Sequence, residues 1–273
     1  MLAWLLRGAS GDGDIAGDIF PFKALVVSEE SEVLWARRGE EIGICDHVHL
    51  LIRPFKGRPT ATEWKGFIRQ IEGWVKDGHY DAVLFDTWQS INPCDDENDA
   101  AKTMSALTPL QAITKAGAAV LLVHHPRKTQ GHQGTASRGS GALPGFVDII
   151  AELRRYAPEG QQDARRKLNG LSRFDETPSE IVIELRDDGY HRVGSTGEAK
   201  REDRMAVVGK ILGDEPKTWK QVRDEWPDNG VPRPGKRSIQ ADLNVGHAEN
   251  KWVRTGTGKR GDPYKFVSRT LPP

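Results

Sequence analysis

The chain contains the stretch AVLFDT at residues 82–87 and, further along, GAAVLLVHH at residues 117–125, and these two segments decide its fold. Each is a short apolar run that ends abruptly in polar residues. This pattern is typical of a strand that is buried on both faces of a parallel sheet and carries functional groups at its carboxyl end. The stretch between them, residues 95–116, has the length and composition of a crossover helix. We therefore predict a βαβ unit with Asp86 at one strand tip and a histidine pair at the next.

Further strands and helices are predicted around this unit. Apolar residues at a spacing near 3.6 predict an amphipathic helix over Thr62–Asp77, whose tryptophans we assign to the core. An Asp-Gly turn between alternating segments predicts a hairpin of Ile181–Leu185 with Tyr190–Val193. The other predicted strands, the last of them buried, are Phe22–Glu30, Val48–Ile52 and Phe146–Leu153.

Length and charge indicate two domains. At 273 residues the chain is long enough for one α/β domain and a small second domain. The net charge is zero, yet residues 195–273 hold 16 Lys and Arg against 11 Asp and Glu, which leaves this tail at +5 and the body at −5. We place the domains at residues 1–194 and 201–273, joined by a Gly/Ser/Thr linker at 195–200. A basic tail suits contact with nucleic acid, although surplus basic charge is also common on solvated surfaces.

Cysteine content and hydropathy indicate the cellular compartment of the protein. Cys45 and Cys94 lie far apart without CxxC or zinc-finger spacing, which argues against a disulfide framework and fits a reducing cytosol. No apolar run approaches the roughly 18 residues needed to span a bilayer, so we predict a cytoplasmic protein without a membrane partner. His47 and His49 alternate with apolar residues, and we assign them to the polar face of a strand rather than to a metal site.

The aspartate at the end of residues 82–86 points to nucleotide chemistry, because nucleotide hydrolases hold magnesium with such a residue, directly or through water. With its surroundings, this strand resembles the RecA-like ATPases of the RepA type, the hexameric plasmid-replication helicases and their phage and plasmid relatives. The resemblance implies an α/β fold with a RecA-like, mostly parallel sheet flanked by helices, the use of ATP and Mg²⁺, and, in a full-length protein, a homo-oligomeric ring such as a hexamer. The matching segments are LFDT at 84–87 as the Walker B strand, DDEND at 95–99, AVLLVHHPRK at 119–128, ASRGSGAL at 136–143 and VDII at 147–150.

The phosphate-binding loop of such enzymes does not occur in this sequence. The motif GxxxxGK[ST] opens directly into an apolar helix, and no match to it is present. Residues 1–8, MLAWLLRG, resemble that helix, so we expect Met1 to be an internal methionine that follows the loop. The strand before the loop is central in RecA-like sheets and would lie here between residues 118–123 and 146–153. Either these two strands close on each other, or the fragment is poorly stable, or the real protein is longer.

The resemblance also implies roles for residues at the strand tips. Glu29 would polarise the attacking water, unless it simply begins a solvated helix together with Glu30. Asp86 would take the magnesium shell with the hydroxyl of Thr87 beside it; its structural alternative is a cap on the next turn.

The histidine pair and three arginines are further candidates. His124 and His125 occupy the position of a γ-phosphate sensor in the family, and the alternative is a pair of satisfied polar groups. Arg37 and Arg38, on the helix after the Glu29 strand, would either reach a nucleotide or pair with nearby acids. Arg173 is our candidate arginine finger, because related hexameric ATPases supply trans-acting basic residues from this edge, although the RepA helicases place theirs nearer the position held here by Asp148.

Two regions are predicted to contact DNA. In hexameric RecA-like motors, a loop such as residues 128–137 grips the single strand, so Arg127, Lys128 and Arg138 are candidates. A plain surface loop is the alternative.

The tail resembles a winged helix domain, since three short helices precede a basic hairpin. Its third helix would offer Lys236 and Arg237 to a major groove, and its wing tip would bring Lys259 and Arg260 to phosphates. Protein docking is the alternative use of such a domain. The predicted helices are Arg201–Leu212, Thr218–Trp226 and Lys236–Glu249.

Two classes of function follow. The first is an ATP-driven motor, a RepA-like helicase or replication ATPase that acts on single- or double-stranded DNA. The second, favoured by the missing loop, is a non-catalytic DNA-binding or regulatory fragment. An in-frame GxxxxGK[ST] upstream of Met1 would favour the first, and a stop codon directly before Met1 would favour the second.

Overall fold

A computed structural model describes residues 22–44, 46–125, 141–157 and 161–269. The chain divides into two compact units, residues 1–192 and 193–273. The predicted helix at residues 1–8 and the loop at 128–137 lie outside the described residues.

A four-stranded, all-parallel sheet forms the centre of the first unit. Its strands stand in the order β2-β1-β3-β4, so β3, the predicted Walker B strand, lies between β1 and β4. This sheet and its flanking helices confirm the predicted RecA-like α/β fold. The strands are β1 (Ala24–Ser28), β2 (Val48–Ile52), β3 (Ala82–Asp86) and β4 (Ala119–Val123).

Helices connect these strands as the sequence pattern predicts. The second of them begins at a capping box in which Thr60 and Glu63 exchange hydrogen bonds, and it buries Trp64, Ile68, Ile71 and Val75 against the sheet. The crossover between β3 and β4, predicted as one helix over residues 95–116, is instead broken by a 3₁₀ turn at Thr108–Leu110 that contains Pro109. The helices are α1 (Glu32–Ile42), α2 (Ala61–Lys76), α3 (Trp88–Ile91), α4 (Ala100–Leu107), α5 (Gln111–Lys115) and α6 (Ala142–Phe146).

The larger core cluster of this unit lies between the sheet and α2, and a smaller cluster includes Trp35 of α1. Phe85 and Trp88 pack against the Trp64 ring, which is 1% exposed and donates its indole N–H to the carbonyl of Ala106 at 2.9 Å. Trp64 is therefore a core residue, as predicted. The described residues contain no helix that is long and apolar enough to cross a membrane.

A second, antiparallel sheet follows β4 in the sequence, in the order β5-β6-β7-β8. The prediction of a buried strand over Phe146–Leu153 is wrong in two respects. Phe146 ends α6, and β5 is an edge strand whose Ile149 and Leu153 side chains are 48% and 39% exposed. The strands are β5 (Ile149–Arg155), β6 (Arg165–Ser172), β7 (Glu180–Arg186) and β8 (Gly189–Gly194).

The β7–β8 hairpin is confirmed, with Gly189 at a φ of 135° in the turn. In the described part of the chain, β4 forms an edge of the parallel sheet and has no pairing with β5. The two strands that were predicted to lie on either side of the phosphate-loop strand thus do not close on each other in the described residues.

The second unit has its own core and a three-stranded sheet in the order β10-β11-β9. Trp252 covers α9, with its indole N–H donating to the carbonyl of Leu243 at 2.6 Å. The elements are α7 (Thr196–Ile211), β9 (Lys217–Thr218), α8 (Trp219–Asp224), α9 (Lys236–Ala248), β10 (Trp252–Thr255) and β11 (Lys265–Ser268).

Residues 195–200, predicted as a linker, are instead the start of α7. Ser195 caps the helix by accepting from the backbone N–H of Glu198, and the Glu198 carboxylate accepts from the backbone N–H of Ser195 at 2.7 Å. This capping box overrides the Gly/Ser/Thr composition on which the linker prediction rested. Thr218 caps α8 as predicted.

Candidate nucleotide site at the strand tips

The carboxyl ends of β1, β3 and β4 meet at one edge of the parallel sheet. The register pairs Ser28 with Asp86 and Asp86 with Val123, so the residues that follow these positions lie side by side. The backbone N–H of Glu29 donates to the carbonyl of Asp86 at 3.0 Å. The sheet therefore brings together the predicted glutamate, aspartate and histidine tips.

Thr87 links two of these tips. Its hydroxyl donates to Oε1 of Glu29 at 3.1 Å, and its oxygen lies 3.2 Å from the hydroxyl of Ser90, which is left to donate to it. Thr87 is only 8% exposed. The sequence suggested a role for this hydroxyl beside magnesium, whereas the structure directs it to the Glu29 carboxylate. Asp86 is joined to Thr87 by a cis peptide bond.

Glu30 is held apart from Glu29 by a separate set of contacts. Both of its carboxylate oxygens bind the guanidinium of Arg38, which also stacks over the Trp35 ring at 5.0 Å. Trp35 in turn donates its indole N–H to the buried hydroxyl of Ser28 at 3.0 Å. The two adjacent glutamates thus face different partners.

The two arginines of α1 have different partners in the structure. From the sequence alone, either residue could reach a nucleotide or pair with a nearby acid. Arg37 forms an exposed ion pair with Glu41 at 2.6 Å, one turn along the helix. Arg38 instead pairs with Glu30. The two side chains reach different partners because consecutive helical residues point about 100° apart. The nucleotide-binding role of Arg37 stays a prediction.

Asp86 lies in an electrostatically unfavourable place for a carboxylate. Burial raises the pKa of Asp86 above its ordinary value, and the negative charges of Glu30 and Glu29 raise it further. The positive charges of Arg38 and His125 act in the opposite direction. A cation bound at this point would relieve the same repulsion.

His125 and His124 differ in their surroundings. His125 is close enough to Asp86 to influence its charge, and its backbone N–H lies 3.4 Å from the side-chain oxygen of Gln89. His124 directs Nδ1 to the carbonyl of His125 at 2.8 Å, a contact in which the ring nitrogen must be the donor. Of the pair, His125 is the residue that the described contacts join to the acidic tips.

Arg173 is bound at the start of the antiparallel sheet. Its guanidinium contacts Oδ1 of Asp148 at 3.2 Å and donates to the carbonyl of Gly145 at 2.9 Å. These contacts fasten the end of α6 to β6. Its role as an arginine finger stays a prediction.

The predicted DNA contacts are in part outside the described residues, namely Arg127, Lys128 and Arg138. In the second unit, Lys236 and Arg237 are exposed in the first turn of α9, where Lys236 lies 5.2 Å from the centre of the Trp219 ring.

Lys259 and Arg260 are exposed in the turn between β10 and β11. Asp262 organises this turn by accepting from the backbone N–H of Thr257 at 2.8 Å. Beside it, the Arg254 guanidinium stacks over Tyr264 at 4.4 Å.

The oxygen donors at the strand tips fit Mg²⁺ in its usual protein environment. Magnesium keeps most of its waters and takes one or two carboxylates together with substrate phosphates, which matches a single half-buried Asp86 with Glu29 nearby. The described residues contain no cluster of three or more ligands that would hold a metal by itself. Asp86 therefore suits a metal ion that is bound together with a phosphate ligand.

Two residues of this site were missed by sequence reasoning. Ser90 and Gln89 lie on α3 directly after β3, and a polar pair so soon after Asp86 was the available signal. The pairing of Arg38 with Glu30 depends on the turn after β1, which the strand pattern did not specify.

Comparison with protein families agrees with this geometry. Residues 2–131 match the family model described as an AAA domain. The match supports an AAA-type P-loop NTPase domain in the first unit, and such a domain implies the use of a nucleotide and Mg²⁺ in general. A comparison with curated proteins gave no match.

Proposed function

We propose that the first unit is the ATP-hydrolysing core of a RepA-like, DNA-dependent ATPase or helicase of plasmid or phage replication. The AAA-domain match and the parallel sheet support the ATPase part. One observation carries the site itself: the Thr87 hydroxyl holds the Glu29 carboxylate beside Asp86 at the shared edge of β1 and β3.

The roles follow from the chemistry of these groups. Asp86 is the carboxylate that takes Mg²⁺, and when bound this ion would neutralise phosphate charge. Glu29, oriented by Thr87, accepts a proton or a hydrogen bond from the attacking water. His125 supplies a hydrogen-bond donor toward phosphate at the tip of β4.

The second unit is proposed to bind DNA as a winged helix. Two features support this: exposed Lys236 and Arg237 begin α9, and exposed Lys259 and Arg260 lie in the β10–β11 turn. If the first unit binds no nucleotide, the chain acts as a non-catalytic DNA-binding module, which is the second candidate function. A ring of several copies belongs to the first candidate.

Equilibrium titration with a fluorescent ATP analogue, with and without Mg²⁺, separates the candidates. The wild-type chain is expected to bind in a Mg²⁺-dependent manner, and Asp86→Asn should lose that dependence. Asp46→Asn is the matched control, because Asp46 is an exposed carboxylate just before β2, at the opposite edge of the same sheet. Absence of nucleotide binding by the folded wild-type chain would leave only the DNA-binding module.

A further inference from the structure

The loop between β2 and α2 carries a concentration of positive charge that the proposed site does not use. Residues 53–59 read RPFKGRP and contain three cations and no acid. Arg53, Lys56 and Arg58 are all exposed. Because β2 is parallel to β1, this loop leaves the sheet at the same edge as the strand tips.

The loop is fixed rather than loosely attached to the sheet. Arg53 donates its backbone N–H to the carbonyl of Ser28 and its Nε to the carbonyl of Glu29, each at 2.8 Å. Phe55 packs edge-on against Phe67 of α2 at 5.0 Å between ring centres, and Pro59 is buried. A loop held in this way loses little conformational entropy when it binds a ligand.

The three cations have no counter-charge of their own. Over residues 22–44, 46–125, 141–157 and 161–269, none of the three forms an ion pair, whereas Arg38, Lys76 and Lys102 of the same unit each pair with a carboxylate. Unpaired cations on a fixed loop are suited to an anionic ligand.

We propose that the loop at residues 53–58 binds the phosphate backbone of single-stranded nucleic acid, an inference that rests on the proposed function. The cations stand on an open surface, which suits successive phosphates along a strand better than one mononucleotide in a concave pocket.

Carboxylates limit the path of the strand. Arg58 lines a cleft of about 540 Å³ together with Asp95, Asp96 and Glu97. These acids repel phosphate, so the strand is expected to contact Arg58 from the loop side of the cleft and not to enter the cleft itself. Asp96→Asn with Glu97→Gln should accordingly raise affinity for the strand.

Fluorescence anisotropy with labelled oligo(dT) tests the proposal on the full chain. Lys56→Ala with Arg58→Ala should weaken binding roughly 10- to 30-fold at about 0.1 M salt, because each lost phosphate contact removes about 0.7 from the slope of log K against log salt concentration. The slope itself should fall by about 1.4. Arg53 is left unchanged, since its hydrogen bonds to β1 also support the fold.

Lys65→Ala with Arg69→Ala is the matched control, because it removes the same charge from exposed positions on α2. It should leave both affinity and slope unchanged. Circular dichroism checks that each variant is folded.

Three results would overturn the loop assignment. The first is that the Lys56/Arg58 variant binds oligo(dT) with the affinity and salt slope of the wild-type chain. If Lys259→Ala with Arg260→Ala then loses affinity for oligo(dT), DNA binding belongs to the second unit alone. Displacement of oligo(dT) from the loop by free triphosphate at matched phosphate concentration would reassign the loop to nucleotide. Failure of the wild-type chain to bind oligo(dT) would overturn the loop proposal, and failure to bind duplex DNA as well would remove the DNA part of the proposed function.

Discussion

The hydroxyl of Thr87 donates to Oε1 of Glu29 at 3.1 Å, although the two residues are 58 positions apart in the sequence. The bond crosses from the end of β3 to the end of β1. It gives the Glu29 carboxylate a fixed partner while Glu30 is occupied by Arg38. The two adjacent glutamates therefore differ in their partners, a hydroxyl for Glu29 and a guanidinium for Glu30.

Removal of that hydroxyl should destabilise the first unit. Thr87→Val keeps the side-chain shape but leaves the Glu29 carboxylate without this donor, and we expect a loss of about 1–2 kcal/mol in the free energy of unfolding. Thr87→Ser retains the hydroxyl and should stay within about 0.5 kcal/mol of wild type. Urea denaturation measures both, and equal stability of the two variants would show that the bond contributes nothing.

Asp86 should make stability depend on pH in an unusual direction. Its pKa is raised in the folded chain above the ordinary value near 3.8, so the folded state favours the protonated form. The stabilising contribution is complete below the unfolded pKa and is lost as the pH rises through the folded pKa. The carboxylate of Asp86 accepts no side-chain hydrogen bond within the described residues that an amide would break.

Asp86→Asn is therefore expected to be more stable than wild type at neutral pH. The difference between the two urea denaturation curves should shrink as the pH falls toward the ordinary value of an aspartate. An Asn variant that is less stable at pH 7 would contradict the raised pKa. Asp46→Asn again provides the control for the loss of one carboxylate from the same unit.

Gly246 should tolerate no larger side chain. A Cβ at this position of α9 would lie 1.9 Å from the Trp252 ring, which is only 4% exposed. We expect Gly246→Ala to cost about 1–3 kcal/mol through overpacking. Hydrogen exchange of the α9 backbone amides measures the loss.

Gly209 provides the matched control on α7. Among the described residues, no atom beyond the adjoining backbone of α7 lies within 4 Å of a Cβ added there, so Gly209→Ala should gain about 0.5–1 kcal/mol from helix propensity. Equal protection of α9 in the Gly246 and Gly209 variants would contradict the packing of Trp252 on Gly246.

The sequence predicted the parts of the fold in which one pattern dominates. The strand Ala82–Asp86 and the helix near Thr62–Asp77 follow from a continuous apolar run and from a 3.6-residue period, respectively. The β5 strand was misjudged, because an apolar run does not reveal whether both of its faces will be covered. The 195–200 segment was misjudged because its capping box lies within a composition typical of linkers.

The candidate site also has parts that the sequence could predict and parts that it could not. Asp86, Glu29 and the histidine pair could be placed because strand tips in a parallel sheet share one edge. The choice between Arg37 and Arg38 could not be made, since it depends on how α1 is rotated about its own axis. The Thr87–Glu29 bond was equally inaccessible, because it requires the register between two strands.

The central claim is that the tips of β1, β3 and β4 form one cation-dependent site around Asp86. Mn²⁺, which substitutes for Mg²⁺ and broadens the NMR signals of nearby nuclei, tests this claim most directly. In the presence of a non-hydrolysable ATP analogue, titration should broaden the ring signals of His125 in the wild-type chain more than those of His79, which precedes β3 at the opposite edge of the sheet, and have no effect on His125 in Asp86→Asn. Broadening of His125 that persists unchanged in Asp86→Asn, or that never occurs in the wild-type chain, would contradict the account.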